Sequence, residues 1–81
     1  MNYIILWHPK AAKYVENLPK HIAKRILRKF DELTEEPFRF LEHFEGKGYK
    51  FRIGEYRALI DVEQEKRILK VRILDKRERM Y

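Results

Sequence analysis

At 81 residues the chain is long enough for one compact domain, read here over 1–81, and too short for a two-domain enzyme. Hydrophobic residues make up 44% of it and aromatics 14%, which suits a small packed core rather than a disordered chain. Nineteen Lys and Arg against thirteen Asp and Glu leave a net charge of +6, which makes a polyanion the first partner to consider, nucleic acid ahead of a membrane.

There is no Cys and no Ser, and Thr34 is the single threonine. Covalent hydrolysis through a Cys or Ser nucleophile, a disulfide framework and a thiolate metal site are thereby excluded, which fits a cytoplasmic setting. His8, His21 and His43 have no metal-site spacing, so neither a metal nor another cofactor is expected. The apolar run from Tyr3 to Trp7 is too short for a membrane span or a signal-peptide core, and a soluble chain is expected.

That same run reads as a buried strand, ended by His8-Pro9 with Pro at the first position of a helix. Ala12, Val15 and Leu18, with Ala11 beside them, form one helical stripe. Pro19 opens a second helix in which Ile22, Ile26, Phe30 and Leu33 keep helical spacing, and Pro37 stops it after Glu36. The segment from Phe38 to Glu45 reads as a connection. Tyr49, Phe51 and Ile53 then alternate with Lys50 and Arg52 as in a half-buried strand. Gly54-Glu55 suits a two-residue hairpin turn with Gly first. The next strand sets Tyr56, Ala58, Ile60 and Val62 opposite Arg57, Leu59 and Asp61, and after a turn through Glu63 to Lys66 a last strand alternates Leu69, Val71 and Ile73 with Lys70 and Arg72. The expected fold is α+β: an N-terminal strand, a two-helix hairpin, then a three-stranded antiparallel meander completing a small sheet, with helices on one face.

The charge follows this division. Residues 1–45 hold 8 basic and 7 acidic side chains, a net of +1, whereas residues 46–81 hold 11 and 6, a net of +5. Strand parity puts Lys50, Arg52, Arg57, Lys70 and Arg72 on the uncovered face, where Arg forks can pair with phosphate oxygens. A solvated outer face, with lysines guarding against edge aggregation, is the other reading of the same pattern. The second helix is banded, with Lys20, Lys24, Arg25, Arg28 and Lys29 before Asp31, Glu32, Glu35 and Glu36, the reverse of what its dipole favours. Pairs such as Arg28 with Glu32 explain this banding, and so does a complementary partner helix. Gly46-Lys47-Gly48 is too short for a phosphate loop and marks the start of a strand.

With this inventory the available chemistry is that of Lys, Arg, Tyr, His and carboxylates. Such groups can run RNA transesterification, in which the 2′-OH attacks the adjacent phosphate, one group takes its proton, cations stabilise the oxyanion and another group protonates the 5′ oxygen. A lysine crowded by cations gives up its proton far more readily than an arginine does.

YKFRIGEYRALIDV, followed by KRILKVRILDKRERMY, resembles the RelE family of toxin–antitoxin toxins. The shared pattern is a Tyr-basic-x-basic strand, the turn Gly54-Glu55-Tyr56-Arg57 and a closing Arg-rich segment ending in Tyr, and the N-terminal strand and helix hairpin extend the resemblance over the whole chain. It implies the toxin of a type II toxin–antitoxin system: a metal-independent endoribonuclease that cuts mRNA on the ribosome and so inhibits translation. By position it assigns catalysis to Lys50, Arg52, Arg57, Arg77 and Tyr81. Arg57 would steady the scissile phosphate, Arg77 would act as general acid and Tyr81 would stack on a base. The general base falls to Arg52, where the family has Lys, or to Lys50. Lys47, Lys70, Arg72, Lys76 and Arg79 would bind RNA. The implied partners are a cognate RelB-like antitoxin, the ribosome and mRNA, in a toxin–antitoxin hetero-oligomer that binds operator DNA through the antitoxin, with no role for a membrane. A ParE-like inhibitor of DNA gyrase and a non-catalytic basic nucleic-acid-binding module remain the alternatives.

Overall fold

The computed structural model describes residues 2–76. Its elements run β1 (Ile4–Trp7), α1 (Pro9–Glu16), α2 (Lys20–Glu35), α3 (Pro37–Phe40), β2 (Glu42–Glu45), β3 (Gly48–Ile53), β4 (Tyr56–Glu63) and β5 (Ile68–Lys76). The five strands form one sheet in the order β1-β5-β4-β3-β2, antiparallel throughout except that β1 runs parallel to β5. This is the expected α+β fold, with an additional antiparallel strand ahead of the meander.

Local chemistry accounts for the breaks. His8 caps α1 through its ring, whose Nδ1 accepts the Lys10 amide at 3.1 Å, and Pro9 fills the first turn, where no amide partner is needed. Pro19 precedes α2, and Pro37 begins the single-turn α3. Gly54 has φ +57° and Glu55 does not share the positive φ, which is what a turn with Gly at its first central position requires.

The core lies between the helix pair and one face of the sheet. Ala11 and Val15 of α1 and Ile26, Phe30 and Leu33 of α2 are buried against Phe51, Ile53, Tyr56, Ala58, Ile60, Val62, Leu69, Val71 and Leu74. Phe30 sits at the middle, with ring centroids 4.8 Å from Trp7 and 5.1 Å from Phe51. Among the described residues no charged or polar side chain is buried in this core.

The structure departs from the sequence pattern in three places. Strand β1, read as buried, contains no buried residue: Ile4 and Leu6 are exposed and Ile5 and Trp7 partly buried, because it is an edge strand whose outer face the helices do not cover. The segment read as a connection contains α3 and β2. All four residues of β2 are exposed, so no alternation marks it; backbone pairing with β3 makes it a strand, through a turn at Gly46 (φ +57°) and Lys47. In β5 the expected alternation fails beyond Val71. Leu59 pairs with Ile73 but Ile60 pairs with Val71, so Arg72 is an extra residue in a bulge. The bulge reverses the parity: Ile73 is 43% exposed, and Leu74, at 3%, takes the core position expected of Ile73.

Candidate phosphate-binding site

The uncovered face of the sheet is divided rather than uniformly basic. Its β1 side is apolar, with Ile4 62% and Leu6 46% exposed. On β5, Lys70 is ion-paired with Glu63 at 3.4 Å and Arg72 with Asp61 at 3.5 Å. These two of the expected RNA-binding cations are therefore largely matched by acids of β4.

Lys50, Arg52 and Arg57 line one hollow of about 300 Å³ together with Phe40 and Glu42. Their convergence follows from register. Arg52 and Arg57 are direct partners across β3 and β4, flanking the Gly54-Glu55 turn, and Glu42 is the partner of Lys50 across β2 and β3. Like charges directly opposite in an antiparallel pair destabilise it, and side chains of opposed residues start only about 5 Å apart. An anion held between two such guanidinium groups would relieve that repulsion. Lys50 and Arg57 are half-buried, which places their charges against the low-dielectric floor of the sheet. The Lys50 ammonium lies 5.2 Å from the ring centroid of Phe44, a cation–π contact that holds it on the β2 side.

Of the other expected residues, Lys47 is in the β2–β3 turn, where its carbonyl accepts the Val62 amide at 2.9 Å, and Lys76 ends β5 opposite Tyr56. Asp61, which holds Arg72, is four residues along β4 from Arg57, roughly 13 Å at strand rise, and neither Arg72 nor Lys70 lines the hollow. Arg77, Arg79 and Tyr81 lie outside the described residues. The Arg25 guanidinium approaches to 3.5 Å from where a Cβ on Gly54 would stand, bringing α2 to the same hairpin. On α2, Lys29 pairs with Glu32 at 3.8 Å, an exposed contact in keeping with a solvated helix.

Sequence reasoning missed Glu42 and Phe40. Both fall in the segment from Phe38 to Glu45, whose exposure on both sides leaves no periodic signal. Phe40 also borders a second hollow formed with Glu32, Glu35, Glu36 and Arg39, so the surface changes sign across this ring. His43 faces away from the cations: its ring is 5.1 Å from that of Tyr49 and its Nε2 is 2.9 Å from the Gly46 carbonyl. No cluster of His, Cys, Asp and Glu able to hold a metal ion occurs among the described residues, and no helix among them is long and apolar enough to cross a membrane.

Comparison with known proteins gives a consistent family. The family model for the ParE toxin of the type II toxin–antitoxin system parDE matches residues 5–80. Among solved structures, the toxin–antitoxin complex RelBE2 from Mycobacterium tuberculosis superposes with a TM-score of 0.84 at 22% identity, covering 95% of this chain and 100% of that one. The archaeal RelE–RelB complex from Pyrococcus horikoshii gives 0.80 at 29% identity, over 98% and 99% of the two chains. The isolated E. coli RelE toxin gives 0.76 at 22% identity, over 91% and 83%. No curated protein matches by sequence.

Proposed function

The chain belongs to the ParE toxin family, within the RelE/ParE superfamily of type II toxin–antitoxin toxins, and from the cations of the hollow and the resemblance of its C-terminal half to RelE toxins we propose that its activity is ribosome-dependent endonucleolytic cleavage of mRNA. The observation that carries this reading is the placing of Arg52 directly opposite Arg57, with Lys50 beside them in one hollow. Three cations around a depression floored by β-sheet suit a phosphodiester whose negative charge grows during attack by the neighbouring 2′-OH. Arg57 supports the phosphate from β4 and Arg52 from β3. Phe40 offers a ring to the base beside it, as single-strand binders do. The resemblance of the C-terminal segment adds Arg77 and Tyr81 as leaving-group and stacking residues. On this reading the ribosome positions the message, supplying the orientation that so small a chain cannot supply alone.

The partner proposed with this activity is a RelB-like antitoxin that silences the toxin in a hetero-oligomer, since the relatives from Mycobacterium tuberculosis and Pyrococcus horikoshii are toxin–antitoxin complexes. Operator DNA would be bound through the antitoxin, and the setting is the cytoplasm. The family description itself favours a second reading, inhibition of DNA gyrase in the manner of ParE, which does not require the hollow's chemistry.

Primer extension on a translated mRNA, beside a gyrase supercoiling assay, separates the two. Cuts that appear only with ribosomes and an unaffected gyrase are expected. Arg57→Ala should lower cleavage by about two to three orders of magnitude, the usual cost of removing a preorganised donor from a developing oxyanion. Gyrase inhibition without mRNA cuts would overturn the reading.

A further inference from the structure

Transesterification needs a group that can accept the 2′-OH proton, and the cations of the hollow are poorly suited to that. A guanidinium does not give up its proton in proteins, and an ammonium has no lone pair. The resemblance assigns the base to Arg52 or Lys50, so the position that the family fills with a lysine holds, in this chain, the one cation least able to act.

The hollow supplies another candidate. Glu42, on the strand that left no trace in the sequence pattern, is the one carboxylate among the described residues that line it. Of the other acids of this face, Asp61 is paired with Arg72 and Glu63 with Lys70, while Asp75, the β5 partner of Arg57, lies outside the lining of the hollow and accepts the Lys76 amide through Oδ1 at 2.7 Å. His43, the nearby imidazole, is turned to the opposite side of β2 against Tyr49. Glu42 and Lys50 are direct cross-strand partners, and opposed residues of an antiparallel pair have Cα atoms about 4.5 to 5.5 Å apart. The two side chains therefore start from adjacent points on the same wall of the hollow, with Arg52 and Arg57 beyond them.

We propose that Glu42 is the general base of this toxin and that it works as a proton-exchanging pair with Lys50. The inference rests on the ribonuclease reading. The Glu42 carboxylate takes the 2′-OH proton as the 2′ oxygen bonds to phosphorus. The bond from phosphorus to the 5′ oxygen breaks, and the Lys50 ammonium protonates that oxygen, taking the role that the resemblance gives to Arg77, whose guanidinium does not give up its proton. The products are a 2′,3′-cyclic phosphate and a 5′-hydroxyl. Glu42 now holds a proton and Lys50 lacks one; transfer from the first to the second restores both, with no net change in protons or electrons. Arg52 and Arg57 keep their charges throughout and hold the phosphate. The departure from the family pattern at Arg52 then has a reason: with the base on β2, a fixed cation on β3 does not hinder the reaction and supports the oxyanion.

The test is Glu42→Gln, a near-isosteric change at an exposed position, measured by single-turnover cleavage of mRNA on programmed ribosomes with the toxin concentration varied. Loss of a general base is expected to lower the maximal rate by about 100-fold or more. The half-saturating concentration should be unchanged or lower, because an acid has been removed from a cationic hollow. Glu42→Asp, which keeps the carboxylate, should recover at least a tenth of the wild-type rate. If Glu42 only balances charge, Glu42→Gln would bind more tightly and cut as fast or faster, and that result overturns the proposal. A loss confined to the half-saturating concentration overturns it as well. If the wild-type protein cuts no ribosomal message, the ribonuclease reading falls and this proposal with it. If the wild type cuts and Glu42→Gln cuts equally, only the base assignment falls.

Discussion

The division of the sheet face gives a quantitative expectation for salt. Each phosphate contact made by a cation contributes about 0.7 to the slope of log affinity against log salt for single strands. The hollow holds three such cations, Lys50, Arg52 and Arg57, so it alone contributes a slope of about −2, equivalent to a roughly 20-fold weakening between about 50 and 200 mM salt. Lys70 and Arg72 are exposed, like Arg52, but they are ion-paired at 3.4 and 3.5 Å, and the Arg72 partner Asp61 lies roughly 13 Å along β4 from Arg57. That spacing exceeds the Debye length of about 8 Å at physiological salt, so their carboxylates shield them locally without weakening the hollow. In anisotropy titrations of a fluorescent single-stranded RNA, Arg52→Ala and Arg57→Ala should each flatten the slope by about 0.7. Lys70→Ala and Arg72→Ala should each change it by less than half that amount. The comparison is between variants, so cations elsewhere in the chain do not disturb it. Equal flattening by Arg72→Ala and Arg57→Ala would refute the division and restore a uniformly basic face.

Two stability predictions test the packing beneath the site. Phe30→Leu keeps an apolar side chain but removes the ring that meets Trp7 and Phe51, and should cost about 1 to 3 kcal/mol in urea unfolding; a change below about 0.5 kcal/mol would show that these contacts do not hold the helices to the sheet. Gly54→Ala and Gly46→Ala should each cost about 1 to 2 kcal/mol, and about equally. A methyl group at Gly54 meets Arg25 only at ordinary contact distance and one at Gly46 meets nothing, so the left-handed backbone alone sets the cost, and a much larger loss at Gly54 would contradict this.

Much of the molecule is legible in the sequence alone. The helical stripes from Ala11 and Val15 to Leu33, the stops at Pro9, Pro19 and Pro37, and the turn at Gly54 all report local chemistry: which side of an element faces the core, and where the chain loses an amide or needs a positive φ. The same parity sends Lys50, Arg52 and Arg57 to one face, because successive strand residues point to opposite sides whatever the strand pairs with.

What stays hidden in the sequence depends on pairing between distant parts of the chain. Strand β2 buries neither face, so its four residues show no periodicity, and it is a strand only because β3 offers it backbone partners; with it, Glu42 and its place opposite Lys50 are invisible. The bulge at Arg72 follows from how β4 and β5 align, and an alternating sequence cannot announce the point at which its own alternation is broken. The carboxylates that separate Lys70 and Arg72 from the hollow come from β4, across the sheet. Sequence determined which side chains are cationic and which way they point, since both are properties of the residue and its neighbours. Tertiary structure decided which of those cations share one hollow, since that depends on register between strands.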